Sequence, residues 1–213
     1  MTGVQTCALP IFVLRQESAR SSYLVEYAVQ LEPSAKIPDL APATIGAPII
    51  APDSKLMLLA PDQVAAAYAD ILSTGEASPS FTLFDATGDS FRTQIDANKA
   101  DKKAKLPTTA SIEFGAKAST GPTIALATND SGSIVAVSLE ETETVKPVDA
   151  AATVSPGEGA VASKALSGLT ATAKGFKNTY ADQLLFHVPA AGSSDKIVLL
   201  GFAQGLISST ELP

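Results

Sequence analysis

Six prolines (Pro33, Pro38, Pro42, Pro48, Pro52 and Pro61) fall in one short stretch, and they decide how the chain can be divided. Proline fixes φ and removes a backbone donor, so at this spacing neither a helix nor a strand ladder can run through the segment. The stretch reads as an extended linker lying along a surface, stiffer than a glycine and serine tether. Ile49-Ile50 and Leu56 to Leu59 are its possible anchors. The division that follows is a strand unit at 12–32, a linker at 33–60 and a main domain at 61–213.

Ahead of the linker, Phe12-Val13-Leu14 opens a strand that ends near Gln16, and Glu17 to Ser22 is polar and turn-like. Tyr23, Val25, Tyr27, Val29 and Leu31 then alternate with Glu26 and Gln30 on the other side. Period two marks a strand with one buried face. Two strands cannot bury a face alone, so this hairpin either joins the downstream sheet or is the remnant of an upstream domain, and the linker that follows favours the second. Gly3 to Ile11 (GVQTCALPI) resembles the translation of a sequencing adaptor. On that reading residues 1–11 are an artefact, and any export signal would lie outside this sequence.

After the linker, Pro61 suits a first helical position. Val64, Tyr68, Ile71 and Leu72 recur at helical spacing until Gly75, which predicts an amphipathic helix over 61–73. Asp89 or Ser90 can cap a second helix whose buried face carries Phe91 and Ile95 and which Pro107 ends. Beyond Pro107 the pattern is of strands. Ser111 to Lys117 alternates, Thr123 to Thr128 and Ser133 to Val145 flank the turn Asn129 to Gly132, and Val161 to Leu166 reads as a short strand. Phe176 to Val188 and Lys196 to Ser209 form a last pair around Ala190 to Ser194. Helices followed by a meander argue α+β. The expected architecture is two N-terminal helices on one face of a curved antiparallel sheet, with nothing ionisable gathered inside.

Composition excludes several functions. Hydrophobic residues make up 46% and charged ones 17%, enough for a buried core. A net charge of −7 repels phosphate backbones and anionic lipid, which argues against nucleic-acid binding. The one cysteine, Cys7, falls in the adaptor-like segment, which leaves no disulfide, thiol catalyst or thiolate metal site. No stretch approaches the roughly 18 apolar residues of a transmembrane helix. No phosphate loop, dinucleotide fingerprint or metal-ligand spacing is present, so neither cofactor nor metal is expected.

Single residues are no more telling. His187, the only histidine, has no carboxylate near it in sequence and reads as a sheet-face side chain rather than an acid or base. Ser193-Ser194-Asp195-Lys196 matches Ser-x-x-Lys but falls in a hairpin turn without companion motifs. Asp85 to Ser90 reads as a helix-capping loop rather than a cation loop. Glu140, Glu141 and Glu143 read as a solvated strand edge, and the lysines from Lys99 to Lys105 as a solvated helix end. Asn129-Asp130-Ser131 is a formal glycosylation sequon.

Pro61 to Gly75 (PDQVAAAYADILSTG), Phe91-Arg92, Thr179 to Pro189 (TYADQLLFHVP) and the segment Arg15 to Tyr23 resemble an uncharacterised family of secreted or lipid-anchored actinobacterial proteins. The resemblance implies tandem α+β domains similar to the cystatin or nuclear-transport-factor-2-like cone, an extracytoplasmic location and no catalytic residues. The leading expectation is a non-enzymatic envelope or secreted domain that binds an envelope protein or a small apolar ligand. The alternative is a cone-fold isomerase or dehydratase, or a small-molecule binder, with Tyr68, Phe84, Phe91 and Phe186 as pocket or core walls.

Overall fold

The long alternating runs after Pro107 assemble into one antiparallel sheet, and everything else in the chain is arranged around it. The structure is a computed structural model and describes residues 10–157 and 160–213. Its elements are β1 (Pro10–Arg15), β2 (Leu24–Leu31), α1 (Pro61–Thr74), α2 (Ser90–Lys105), β3 (Ala110–Ala118), β4 (Ile124–Ala127), β5 (Ser133–Pro147), α3 (Val161–Ser167), β6 (Phe176–Val188) and β7 (Val198–Glu211). The strands run in the order β1-β2-β7-β6-β5-β3, and β4 also pairs with β5. Both β3 and β4 lie along one side of β5, at Leu139–Pro147 and Ser133–Ala136 respectively.

One sheet face carries Val135, Val137 and Leu139 of β5, Leu184, Phe186 and Val188 of β6, and Leu199 of β7, all buried. The apolar stripe of α1 packs on it through Val64, Tyr68, Ile71 and Leu72. Pro61 opens that helix and Gly75, at φ +61°, closes it. Phe91 and Ile95 bring the first half of α2 to the same core, where the Phe91 and Phe202 rings lie 4.8 Å apart. The N-cap of α2 is Asp89, which accepts from the Arg92 amide at 2.9 Å and from the buried Tyr68 hydroxyl, also at 2.9 Å. Glu32 holds the next residue, accepting from the Ser90 hydroxyl at 2.6 Å.

The other face is covered by the N-terminal hairpin. Strand β2 pairs with β7 only through Gln30↔Phe202 and Leu31↔Gly201, and a Cβ at Gly201 would stand 2.6 Å from the Gln30 carbonyl oxygen. From there Tyr27 and Val29 pack over Ala136, Leu185 and Leu200, with Ile11 and Val13 of β1 alongside. The Ala28 amide donates to the Gln183 side chain at 2.8 Å, and the Tyr27 hydroxyl donates to the Pro122 carbonyl. The outer ends of the hairpin, at Phe12, Leu14, Tyr23, Leu24 and Val25, stay exposed.

The expected architecture is therefore corrected. The chain is α+β in the general sense, but two strands precede the helices and the seven-stranded sheet dominates the described residues, with three short helices. It is not a cystatin-like or nuclear-transport-factor-2-like cone of two N-terminal helices on a sheet, and the hairpin hydrogen-bonds into the sheet rather than standing ahead of it as a remnant. A period-two pattern reports a buried face but not the partner that buries it, and here the partner is supplied by the last strand of the chain.

The proline-rich segment forms no regular element yet follows the sheet rim. Backbone pairs join Leu40 to Thr128, Ile49 to Leu126 and Met57 to Ala190. Ile50, Leu58 and Leu59 pack against the core, whereas Ile49 and Leu56 face outward. Val161 to Leu166, read as a strand, is the helix α3, ended by Gly168 at φ +69°. So short a run lacks the length that separates the two periods. The turn at Asn129 to Gly132 and the final hairpin form where the sequence places them. Residues 1–9 of the adaptor-like segment lie outside the described residues.

Candidate functional site

The period that places valines beneath α1 continues along the same strands and places acids beneath α2. On β5 the inward positions after Leu139 are Glu141 and Glu143, and on β6 they are Asp182, Tyr180 and Asn178. The covering helix changes in step. After Ile95 the residues one turn further along α2 are Asn98 and Lys99, and two turns further Lys102, so its inner stripe turns polar where the sheet does.

Two hollows open along this belt. The smaller, of about 230 Å³, lies between α2 and the sheet and is walled by Ile95, Lys99, Phe114, Glu141 and Gln204. The larger, of about 660 Å³, lies between the end of α2, α3 and the sheet, with Leu106, Ile112, Val145, Phe176 and Leu206 in its walls. Lys102, Glu143 and Tyr180 line both and form the partition between them. The floor of the larger one carries a hydroxyl network, in which Ser163 Oγ lies 2.8 Å from both Asn178 Oδ1 and Ser209 Oγ.

Burial sets the charge states. Lys102 forms an ion pair with Glu143, and its ammonium lies 5.3 Å from the centre of the Tyr180 ring. Burial works against that charge, but Glu143 outweighs it and holds Lys102 above its ordinary pKa. Burial, reinforced by the Glu143 charge, raises Tyr180. Lys99 donates to the Leu72 carbonyl at 2.6 Å, closing the end of α1. Glu141 is only 6% exposed and accepts from the Gln204 amide at 2.8 Å. Burial raises its pKa, with Lys99 opposing. Asp182 is 0% exposed, and neither of its carboxylate oxygens makes a well-directed hydrogen bond, although the Gln204 side chain opposite it favours the charged form. Burial and then the neighbouring Glu141 charge push it up to about 7.

Three expectations fail here. The interior does gather ionisable groups. Glu141 and Glu143 are buried rather than on a solvated edge, although Glu140 beside them is more open. Lys102 belongs to the partition and not to a solvated helix end. The missed signal was the unbroken alternation from Val135 through Leu139 to Val145, which puts residues 141 and 143 inside whatever their charge.

Tyr68, Phe84, Phe91 and Phe186 are brought together, but in the closed core beneath α1. Tyr68 and Phe186 meet edge-on at 5.0 Å and Phe84 and Phe186 at 5.7 Å, each ring no more than 2% exposed. None of the four lines either hollow. His187, near the end of β6, faces the turn between β4 and β5, where its Nε2 is 3.2 Å from Asp130 Oδ2, although no well-directed hydrogen bond joins them. Asp130 is half-exposed, and neither hollow reaches the pair. Among the described residues no group of three histidine, cysteine or acidic side chains is placed to hold a metal ion, and no helix is long and apolar enough to cross a membrane.

The family model described as "Domain of unknown function (DUF8094)" matches residues 3–211. No curated protein and no solved structure matches the chain.

Proposed function

The chain belongs to the DUF8094 family, a domain of unknown function, and from that premise we propose that it is a non-enzymatic extracytoplasmic domain that binds a small amphipathic ligand in the paired hollows beneath α2. One observation carries the reading. An apolar chamber of about 660 Å³ lies beside a smaller one of about 230 Å³ that carries more charged groups, and Lys102, Glu143 and Tyr180 line both. Concave sites of this size with a few convergent polar groups are the usual form of small-molecule sites. Among the described residues around the hollows no nucleophile is paired with a base, which favours binding over catalysis.

The location, an actinobacterial source and a tandem arrangement with a second domain are part of the same proposal. Their support is the resemblance carried by Pro61 to Gly75 and Thr179 to Pro189. Fractionation of cells expressing the full native gene tests the location, and recovery from the cytosol alone would refute it.

The ligand site is tested with Nile red, an uncharged dye whose emission rises in apolar surroundings. It should saturate a single site, and Ala162→Trp, which fills the larger chamber from the exposed side of α3, should abolish that signal while far-ultraviolet circular dichroism stays unchanged. Equal dye binding by both proteins would refute the site.

A further inference from the structure

The charged side chains around the larger hollow are matched within the protein. Lys102 pairs with Glu143, and Lys105 with Asp101 at 2.8 Å. A further ionised group brought into this space would leave water without gaining an unengaged counter-charge among the described residues. The floor is a different case. Ser163 donates its one hydroxyl hydrogen to Asn178 Oδ1 at 2.8 Å, so its 2.8 Å contact with Ser209 must carry the Ser209 hydrogen. The relay runs from Ser209 through Ser163 and ends on the Asn178 amide, without using the hydrogens on Nδ2. Asn178 is 5% exposed and lines the hollow, and among the described residues no acceptor meets its Nδ2. Nor is that nitrogen sealed in, as the Asp182 oxygens are. A largely buried donor with no acceptor is a cost that a bound acceptor removes.

We infer, building on the ligand-site reading, that the larger hollow takes an uncharged apolar molecule bearing a carbonyl oxygen, which accepts from the Asn178 amide. Its hydrocarbon part lies against Leu106, Val145, Phe176 and Leu206. An acceptor fits where a donor does not, because Asn178 Oδ1 is already taken by Ser163. A carboxylate at the same place would face Glu143, which stands opposite Asn178 across the strands. An ammonium would face Lys102 in the same wall.

The test displaces Nile red from the full chain at about pH 7 with octan-2-one, 1-octene, octanoate and octylammonium, the two ions below their micelle concentrations. Octan-2-one should bind about five-fold tighter than 1-octene, the worth of one neutral hydrogen bond, and both ions more weakly than the ketone. The carbonyl stretch of bound octan-2-one should lie at lower frequency than in hexane. Asn178→Leu should bring the ketone-to-alkene ratio close to unity and return the stretch to its hexane position. The ranking and the infrared shift are read on the native chain, so they decide the matter even where Asn178→Leu does not fold. Equal binding of ketone and alkene, tighter binding of either ion, or an unshifted stretch would overturn the inference and leave the ligand site standing. Absence of any Nile red binding would remove both.

Discussion

Replacing Asp182 with asparagine should make this protein more stable at alkaline pH, and by an amount the structure sets. The side chain is fully buried between Leu139 and Gln204 on the sheet face beneath α2, with neither oxygen in a well-directed hydrogen bond, and burial and the Glu141 charge, opposed by Gln204, push its pKa from the ordinary 3.8 up to about 7. A folded-state pKa above the unfolded one means that the native chain holds a proton the unfolded chain releases. The associated stability is complete below about pH 4 and is lost as the pH rises through about 7. A shift of this size corresponds to about 4 kcal/mol between the two limits. Asparagine keeps the shape and cannot ionise. Urea unfolding of the native and Asp182→Asn proteins, measured at about pH 4.5 and about pH 8.5, should give a stability difference that widens in favour of the variant by roughly 3–4 kcal/mol. Parallel pH profiles would show that Asp182 is not the buried titrating group and would refute the reasoning.

Two further outcomes test the packing. Tyr68→Phe removes the hydroxyl that bridges both oxygens of Asp89 and should cost about 1–3 kcal/mol in urea unfolding, because the buried cap of α2 loses a charge-assisted bond. A change below the measurement error would show that the bridge is not formed. Gly201→Val should detach the hairpin selectively, since its Cβ would meet the Gln30 carbonyl at 2.6 Å. Amide exchange should then accelerate across β1 and β2 while β5 and β6 remain protected, and uniform protection would argue that β2 does not pass there.

What the sequence disclosed depended on how local the cause was. Helices α1 and α2 were legible because Pro61, Gly75 and Asp89 mark their ends and the apolar spacing lies within each segment. The turn at Asn129 to Gly132 was legible for the same reason. The place of the hairpin was not, because its contacts lie with Leu185, Leu200 and Gly201, far along the chain, and nothing in residues 12–32 names them. The proline segment was rightly read as irregular, but its path along Thr128, Leu126 and Ala190 is a property of the assembled sheet. The site stayed hidden for a different reason. Glutamates are ordinarily exposed, and that habit overrode the alternation that places Glu141 and Glu143 inside. Asp182 sits in a run of apolar neighbours that also alternates, and only the cross-strand register brings it beside Glu141.

The union of β2 with β7 gives synthesis a fixed order of events. Gln30 and Leu31 must wait for Phe202 and Gly201, so β1 and β2 are seated only after β7 has emerged from the ribosome. Until then Tyr27 and Val29, together with the outward apolar tips at Phe12, Leu14 and Val25, are uncovered in the growing chain. For as long as the residues between Leu31 and Gly201 take to synthesise, that apolar ribbon has no sheet to dock on.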